Sequence, residues 1–328
     1  MANPTKKIKN EEIARLEGMN RRLSDLSKYG RNLNLQALCG DIAPVFNREA
    51  EVESIMKLLL RRTKPNILLT GPAGCGKTAI AEALASYIAT QRLEWIAEQD
   101  KADKAYNRAL KKCEVDEETG ELLNAPAEPI VPKPPLCDAI VYELSMNSVV
   151  SGAKYRGEFE EKLEKILALC KADRNVILFI DEIHQINVIG QAEGASNMGQ
   201  ILKPAMARAE VRIIGATTTE ESAILKKDKA LARRFSELEV RPLVGETAVT
   251  TAESILADYE QYHGVKVRGI TAKNILEMVN FHIGGVFPNN FIDAIDEAMS
   301  GAKYEGETAI TMEEIKATIG RMSGHIIL

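Results

Sequence analysis

At 328 residues the chain is long enough for about two domains with a substantial core. Hydrophobic residues make up 45% and charged residues 27%, and no apolar run approaches the roughly 20 residues of a membrane span. The N-terminal lysines have no apolar stretch behind them, so no secretory leader is expected. The net charge of −5 argues against a nucleic-acid-binding surface. Cys39, Cys75, Cys113, Cys137 and Cys170 are widely spaced, without a CxxC or zinc pattern. Reduced thiols in a cytoplasmic protein are expected.

In chain order, residues 1–32 are highly charged, with a weak helical stripe of Ile13, Leu16, Leu23 and Leu26, and are expected to form an N-terminal extension. Residues 33–242 then alternate between helix-like and strand-like segments. Val52, Ile55, Met56, Leu59 and Leu60 predict one helix; Phe159, Leu163, Ile166, Leu167 and Cys170 predict another. Ile67–Leu69, Ile140–Leu144, Val176–Ile180 and Val211–Gly215 predict strands. Their near-continuous apolar character suits a parallel sheet covered on both faces. Residues 91–135 interrupt this rhythm as an insertion. They begin as a charged helical pattern with Trp95 and end in a cluster of Pro126, Pro129, Pro132, Pro134 and Pro135 that must be extended or turn-like. Beyond Pro242, the segments Thr247–His263, Thr271–Phe281, Phe291–Tyr304 and Met312–Met322 predict a smaller, mainly α-helical domain over 243–328. The fold expected is α/β, with a doubly wound parallel sheet followed by that helical domain.

The chemistry concentrates at the strand ends. Gly71-Pro72-Ala73-Gly74-Cys75-Gly76-Lys77-Thr78 fits GxxxxGK[ST], between a strand-like stretch and a helix-like one running from Ala79 to Ile88. Glycines allow close backbone approach, so that N–H groups and the positive end of the helix face phosphate. Lys77 is expected at the β- and γ-phosphates of ATP, and the Thr78 hydroxyl on Mg²⁺. The strand Val176–Ile180 ends in Asp181-Glu182, at the sheet edge where open α/β sheets bind ligands. Alone, such a pair would read as an acidic helix cap. Beside a phosphate loop, Asp181 is expected to hold Mg²⁺ and Glu182 to polarise the attacking water. A third strand ends in Thr217-Thr218, whose hydroxyls can sense phosphate. Arg233-Arg234 fit either a solvated helix end or an arginine finger acting on a neighbouring subunit.

Together these motifs resemble the first ATPase module of the Clp/heat-shock-100 family of AAA+ unfoldases. The likeness runs from about Lys28 to Gly324, apart from Gln91–Pro135. It rests further on Gly152-Ala153-Lys154-Tyr155-Arg156-Gly157-Glu158-Phe159-Glu160, which is similar to the family's first pore loop. The resemblance implies a P-loop NTPase fold and a homo-hexameric ring or spiral. It implies that Tyr155, flanked by Lys154, Arg156 and Gly157, grips polypeptide in an axial channel. Segment 190–196 takes the place of a second pore loop. The resemblance also implies that Val45 and Phe46, with Ile255 (beside Leu256) and Pro288, contact the base; that Gly71 through Ala79 hold the phosphates; that Thr218 takes the first sensor position; and that Arg233 and Arg234 take the finger positions. Asp181-Glu182-Ile183-His184 matches the family's Asp-Glu-Leu-His. The family's Leu-Pro-Asp-Lys-Ala-Ile-Asp departs here to Phe287-Pro288-Asn289-Asn290-Phe291-Ile292-Asp293, and no second-sensor arginine is evident.

The function expected is an ATP hydrolase that threads polypeptide through a ring pore. Two alternatives share its nucleotide motifs: a nucleic-acid-associated AAA+ ATPase, and a regulatory ATPase whose nucleotide state controls assembly. Loops accept insertions at little cost, so residues 91–135 read first as a tolerated surface insertion, and second as an adaptor-docking or substrate-docking element. The chain's start and this insertion favour a single-ring protein over an excised module.

Overall fold

The computed structural model describes residues 4–113, 124–151, 156–188, 199–207, 210–325 and 327. In chain order its elements are α1 (Pro4–Arg22), α2 (Ser24–Tyr29), β1 (Gly30–Asn32), α3 (Leu33–Cys39), α4 (Glu49–Leu59), β2 (Asn66–Thr70), α5 (Lys77–Leu110) and β3 (Ile140–Leu144). There follow α6 (Met146–Ser151), α7 (Arg156–Ala172), β4 (Val176–Ile180), α8 (Gln185–Val188), α9 (Gly199–Ala207), β5 (Arg212–Thr217), α10 (Thr219–Lys227), α11 (Lys229–Ala232) and β6 (Phe235–Glu239). The last part comprises α12 (Gly245–His263), β7 (Lys266–Val267), α13 (Ala272–His282), α14 (Asn289–Glu305), β8 (Ala309–Ile310) and α15 (Met312–Ser323).

Six strands form one sheet in the order β1-β3-β4-β5-β2-β6, parallel except for β1 against β3. The apolar runs serve two faces. Ile67, Leu69, Ile177, Phe179, Ile214 and Ala216 pack into one core with α4 and α5. The intervening Leu68, Leu178, Ile180 and Ile213 pack into the other with α7 and α9. Period-2 alternation of uniformly apolar residues therefore covers both sides of the sheet. After β2 the chain crosses to β3, works back through β4 to β5 at β2's flank, and then places β6 on the other side. The carboxyl ends of β2, β4 and β5 thus meet at a switch point, where a ligand crevice opens.

The segment expected as an N-terminal extension belongs to this core. Leu16, Met19, Leu23 and Leu26 are buried in it, and β1 extends the sheet. Gly30 permits the join, because a Cβ there would lie 2.4 Å from the Glu143 carbonyl oxygen. The charge that made the stripe look solvated is partly internal. Glu12 is 4% exposed and accepts from Arg15 Nη2 at 2.6 Å and from Arg92 Nε at 2.8 Å.

The helix expected to end at Ile88 runs to Leu110, because no Gly or Pro interrupts it. Phosphate loop and insertion are consequently the two ends of one rod about 50 Å long. The proline-rich segment returns along it. Trp95 Nε1 donates to the Val131 carbonyl at 3.3 Å, Lys133 Nζ sits 4.9 Å from the Trp95 ring centre, and both Arg92 and Lys133 pair with Asp138.

The C-terminal helices enclose their own core around Ile275, Phe291, Met299 and Ile319. Thr271 caps α13, and a Thr311/Glu314 capping box starts α15. The short parallel pair β7-β8 is the only strand content described there.

Candidate functional site

The phosphate loop joins β2 to α5, and each of its glycines has a distinct reason. A Cβ on Gly71 would lie 2.3 Å from the Val240 carbonyl oxygen, so Gly71 lets the chain pass beneath the end of β6. Gly74, at φ +79°, would place a Cβ 2.9 Å from Asn289 Cβ, where the small domain reaches the loop. Gly76, at φ +93°, is the residue from which α5 starts. Two of the three thus serve close approach to protein. Lys77 is 9% exposed and donates from Nζ to the Gly71 and Pro72 carbonyls at 3.0 and 2.8 Å. The Thr78 hydroxyl donates to Asp181 Oδ2 at 2.6 Å, while Asp181 Oδ1 accepts the Glu182 amide at 2.9 Å. The hydroxyl and carboxylate expected around a divalent cation are therefore already in contact.

Glu182 leaves β4 with φ +48° and an exposed side chain, whose Oε2 accepts from Gln185 Nε2. Behind it, His184 Nδ1 lies 3.1 Å from the Thr217 hydroxyl and 3.2 Å from Glu221 Oε2. Thr218 is the N-cap of α10. Its hydroxyl donates to Glu221 Oε2 at 2.8 Å and accepts the Glu221 amide at 3.1 Å. The Thr218 hydroxyl bond holds the Glu221 carboxyl below the usual carboxylate range, against the opposing effect of burial. Both threonines line the crevice, but the Thr218 hydroxyl is engaged in a capping box. Sequence reasoning passed over His184 and Glu221 as partners of these hydroxyls; the Thr-x-x-Glu spacing was the available signal.

The crevice has a volume of ≈ 760 Å³ and runs between the phosphate loop, Asp181, Glu182 and Thr218 on one side and Pro288 and Asn289 on the other. A smaller, more apolar slot of ≈ 100 Å³ adjoins it, lined by Val45, Phe46, Cys75, Ile255 and Pro288. Gly76, Ala79, Pro288 and Ile292 border both. A flat base fits the slot, and a charged chain of phosphates fits the polar crevice. Ala73, Gly74, Lys77 and Thr78 line the crevice itself, whereas Gly71 and Pro72 offer carbonyls to Lys77 from behind. Asn289 Nδ2 donates to Asp293 at 2.8 Å at the crevice wall; Asn290 is buried and ties to the Gly284 carbonyl at 2.8 Å. Of the two asparagines, only the first borders the crevice.

One residue of the site carried no spacing signal. Arg48 is 4% exposed and donates to the Cys75 carbonyl at 2.7 Å, the Arg241 carbonyl at 3.0 Å and Glu51 Oε1 at 2.6 Å. It thereby fixes the start of α4 (beside the slot-lining Val45 and Phe46), the phosphate loop and the exit from β6 to one another. Arg48→Met leaves Glu51 and two carbonyls without their donor. It is expected to lower unfolding free energy by about 3 kcal/mol and to weaken nucleotide binding, as read by urea denaturation and by titration with a fluorescent nucleotide.

Arg233 caps the C-terminus of α11 and is exposed; Arg234 is half-buried, with its Nε unpaired among the described residues. Neither lines the crevice or the slot of its own chain. Lys154, Tyr155 and segment 190–196 lie outside the described residues; Arg156 and Gly157 open α7. Cys75, Cys137 and Cys170 are buried, and all five cysteines are free thiols. Burial pushes the Cys170 thiol up to about 12. No helix among the described residues is long and apolar enough to cross a membrane.

A phosphate loop, a strand-borne Asp-Glu pair and a helical domain closing on the base slot define a P-loop ATPase. A model of the "ATPase family associated with various cellular activities (AAA)" matches residues 67–243, and the chain belongs to that family. Within it, the resemblance is to the Clp/heat-shock-100 ATPases. The chain is 34% identical over 307 residues to the chaperone protein ClpB of Aquifex aeolicus, covering 93% of this chain and 27% of that protein. It is 36% identical over 293 residues to ClpB of Bdellovibrio bacteriovorus, covering 88% and 30%. Hsp104 of S. cerevisiae in complex with ADP superposes with a TM-score of 0.69 at 28% identity, covering 92% and 46%; the extended Hsp104–casein complex gives 0.67 at 27%, covering 92% and 45%. The chain thus spans less than a third of the length of these ClpB relatives.

Proposed function

We propose that the chain is an ATP-driven protein-remodelling motor that assembles as a homo-hexameric ring or spiral in the cytoplasm and draws polypeptide through its pore. The observation that carries this reading is the division of the site. Lys77, Thr78, Asp181 and Glu182 converge in one crevice, while Arg233 and Arg234 do not line it. The Hsp104 structures with casein support polypeptide as the substrate class.

In this reading ATP lies with its base in the Val45/Phe46/Ile255 slot and its phosphates along Gly71–Ala79. Lys77 exchanges its loop carbonyls for the β- and γ-phosphates. Thr78 and Asp181 supply hard oxygen donors that fit Mg²⁺, which neutralises charge on the phosphates. Among the described residues no group of three or more His, Cys, Asp or Glu could hold a metal; Thr78 and Asp181 are the residues that would hold the ion. Glu182 turns from Gln185 to the attacking water and takes its proton. Thr218 follows the γ-phosphate. The neighbour's Arg233 and Arg234 stabilise the charge spread over the transferring group. Pro288 and Asn289 carry the change into residues 243–328, and Tyr155, with Lys154, Arg156 and Gly157, moves with gripped polypeptide. Residues 91–135, of which the part up to Leu110 continues the phosphate-loop helix, are proposed to dock an adaptor. Nucleic acid is not among the proposed partners.

The test compares Tyr155→Ala with the parent in ATP hydrolysis and in unfolding of a tagged fluorescent protein. Substantial hydrolysis with loss of unfolding is expected. A parent that unfolds nothing, together with a variant unchanged in every activity, contradicts the motor reading.

A further inference from the structure

The turn that carries Arg233 and Arg234 is too short to hold itself. Helix α11 has four residues, Lys229–Ala232, and an isolated single turn has no stability of its own in water. Two things fix it. Leu231 is fully buried in the core beneath the sheet. Asp228, at the N-cap, accepts the amides of Ala230 and Leu231 on Oδ1, each at 3.1 Å. Arg233 then closes the turn with its amide on the Lys229 carbonyl at 3.3 Å, and the Arg234 amide bonds the Leu231 carbonyl at 3.0 Å. The arginine backbone positions follow from the cap.

The second oxygen of that cap is also committed. Asp228 Oδ2 accepts from Lys203 Nζ at 2.6 Å, with the two side chains only 15% and 26% exposed. Lys203 stands on α9, held in the same core by Leu202, Ala205 and Met206. Burial pushes the Asp228 carboxyl up, but the Lys203 bond and the α11 amides outweigh it and leave it below the usual carboxylate range. The carboxylate therefore stays charged and holds two elements at once. Helix α9 is the element that follows residues 189–198, which include the segment matched to the second pore loop.

We propose that Lys203 and Asp228 are positioning residues that present Arg233 and Arg234 to the neighbouring copy's nucleotide and tie that turn to α9. The proposal rests on the shared-site reading above. Through this pair the α11 cap, and with it the backbone that carries the arginines, is held against α9.

Subunit mixing tests it. An Asp228→Asn subunit keeps its own crevice but misplaces its arginines, whereas a Lys77→Ala subunit loses its own nucleotide and keeps its arginines in place. Asp228→Asn alone is expected to lose about tenfold or more in kcat, with nucleotide affinity, measured by a fluorescent ATP analogue, nearly unchanged. That retained affinity also shows the variant to be folded. Mixed with Lys77→Ala subunits, it should exceed the summed activity of the two alone. Lys203→Met should behave in the same way, and Lys203→Arg should restore the rate. The control mixes the Arg233→Ala/Arg234→Ala variant with Lys77→Ala. Recovery in the control but not with Asp228→Asn overturns the positioning role and leaves the shared site standing. No recovery in either mixture overturns both. A loss of affinity without a loss of kcat also contradicts the proposal.

Discussion

Replacing Arg233 and Arg234 together with alanine is expected to lower kcat by about 10³–10⁵-fold while leaving nucleotide affinity nearly intact. The split follows from where the arginines sit. Neither lines the crevice of its own chain, so neither contributes to ground-state binding there. In the proposed shared site their guanidinium groups would act on charge that develops on the equatorial oxygens during transfer, and preorganised cations are worth most at that point. Steady-state hydrolysis and nucleotide titration check the two halves separately. A loss of affinity as large as the loss of rate would place the arginines at their own nucleotide instead.

Glu182→Gln is expected to remove about 10²–10⁴-fold of the hydrolysis rate and to leave ATP bound. The amide has the carboxylate's shape but cannot accept the water's proton. Glu182 is exposed at the crevice and bonded to Gln185, three residues on, while its neighbour Asp181 is engaged with Thr78. The two carboxylates of the pair are thus separated by role. Asp181 accepts from the Thr78 hydroxyl, the pair proposed to hold the cation, and Glu182 is exposed at the crevice. Single-turnover hydrolysis and retention of labelled ATP on the variant measure the effect. Retained turnover would move the base elsewhere, with Glu221 at the same crevice the next candidate.

Much of this site is written locally in the chain. The phosphate loop, Asp181-Glu182 and the strands around them could be read because their function demands a fixed spacing and the strands are uniformly apolar. The alternation of strands and helices made the parallel, doubly wound sheet legible, whereas the order of its strands, which opens the crevice, is set by pairing between distant segments. What was not legible depends on contacts between distant segments. Arg48 acts through a carbonyl of the phosphate loop and another beyond β6, a link that no periodicity encodes. β1 and β6 lie at the two edges of the sheet, with polar sequences, Gly30-Arg31-Asn32 and Phe235-Ser236-Glu237-Leu238-Glu239, that do not read as buried strands. The N-terminal stripe looked weak because Glu12 and Arg15 interrupt it, yet Glu12 is buried and paired. The glycines of the phosphate loop were legible as a motif, but the reasons for Gly71 and Gly74 lie in Val240 and Asn289, far along the chain.

The central claim is that one copy of the chain lacks a complete hydrolytic site and a neighbour supplies the rest. The most direct test is specific ATPase activity as a function of protein concentration, with assembly state followed in parallel by light scattering. Activity per subunit should fall towards zero as the chain is diluted to monomers and rise to a plateau as it assembles, with binding of a fluorescent nucleotide persisting in the monomer. A specific activity that stays constant down to the monomer would contradict the account.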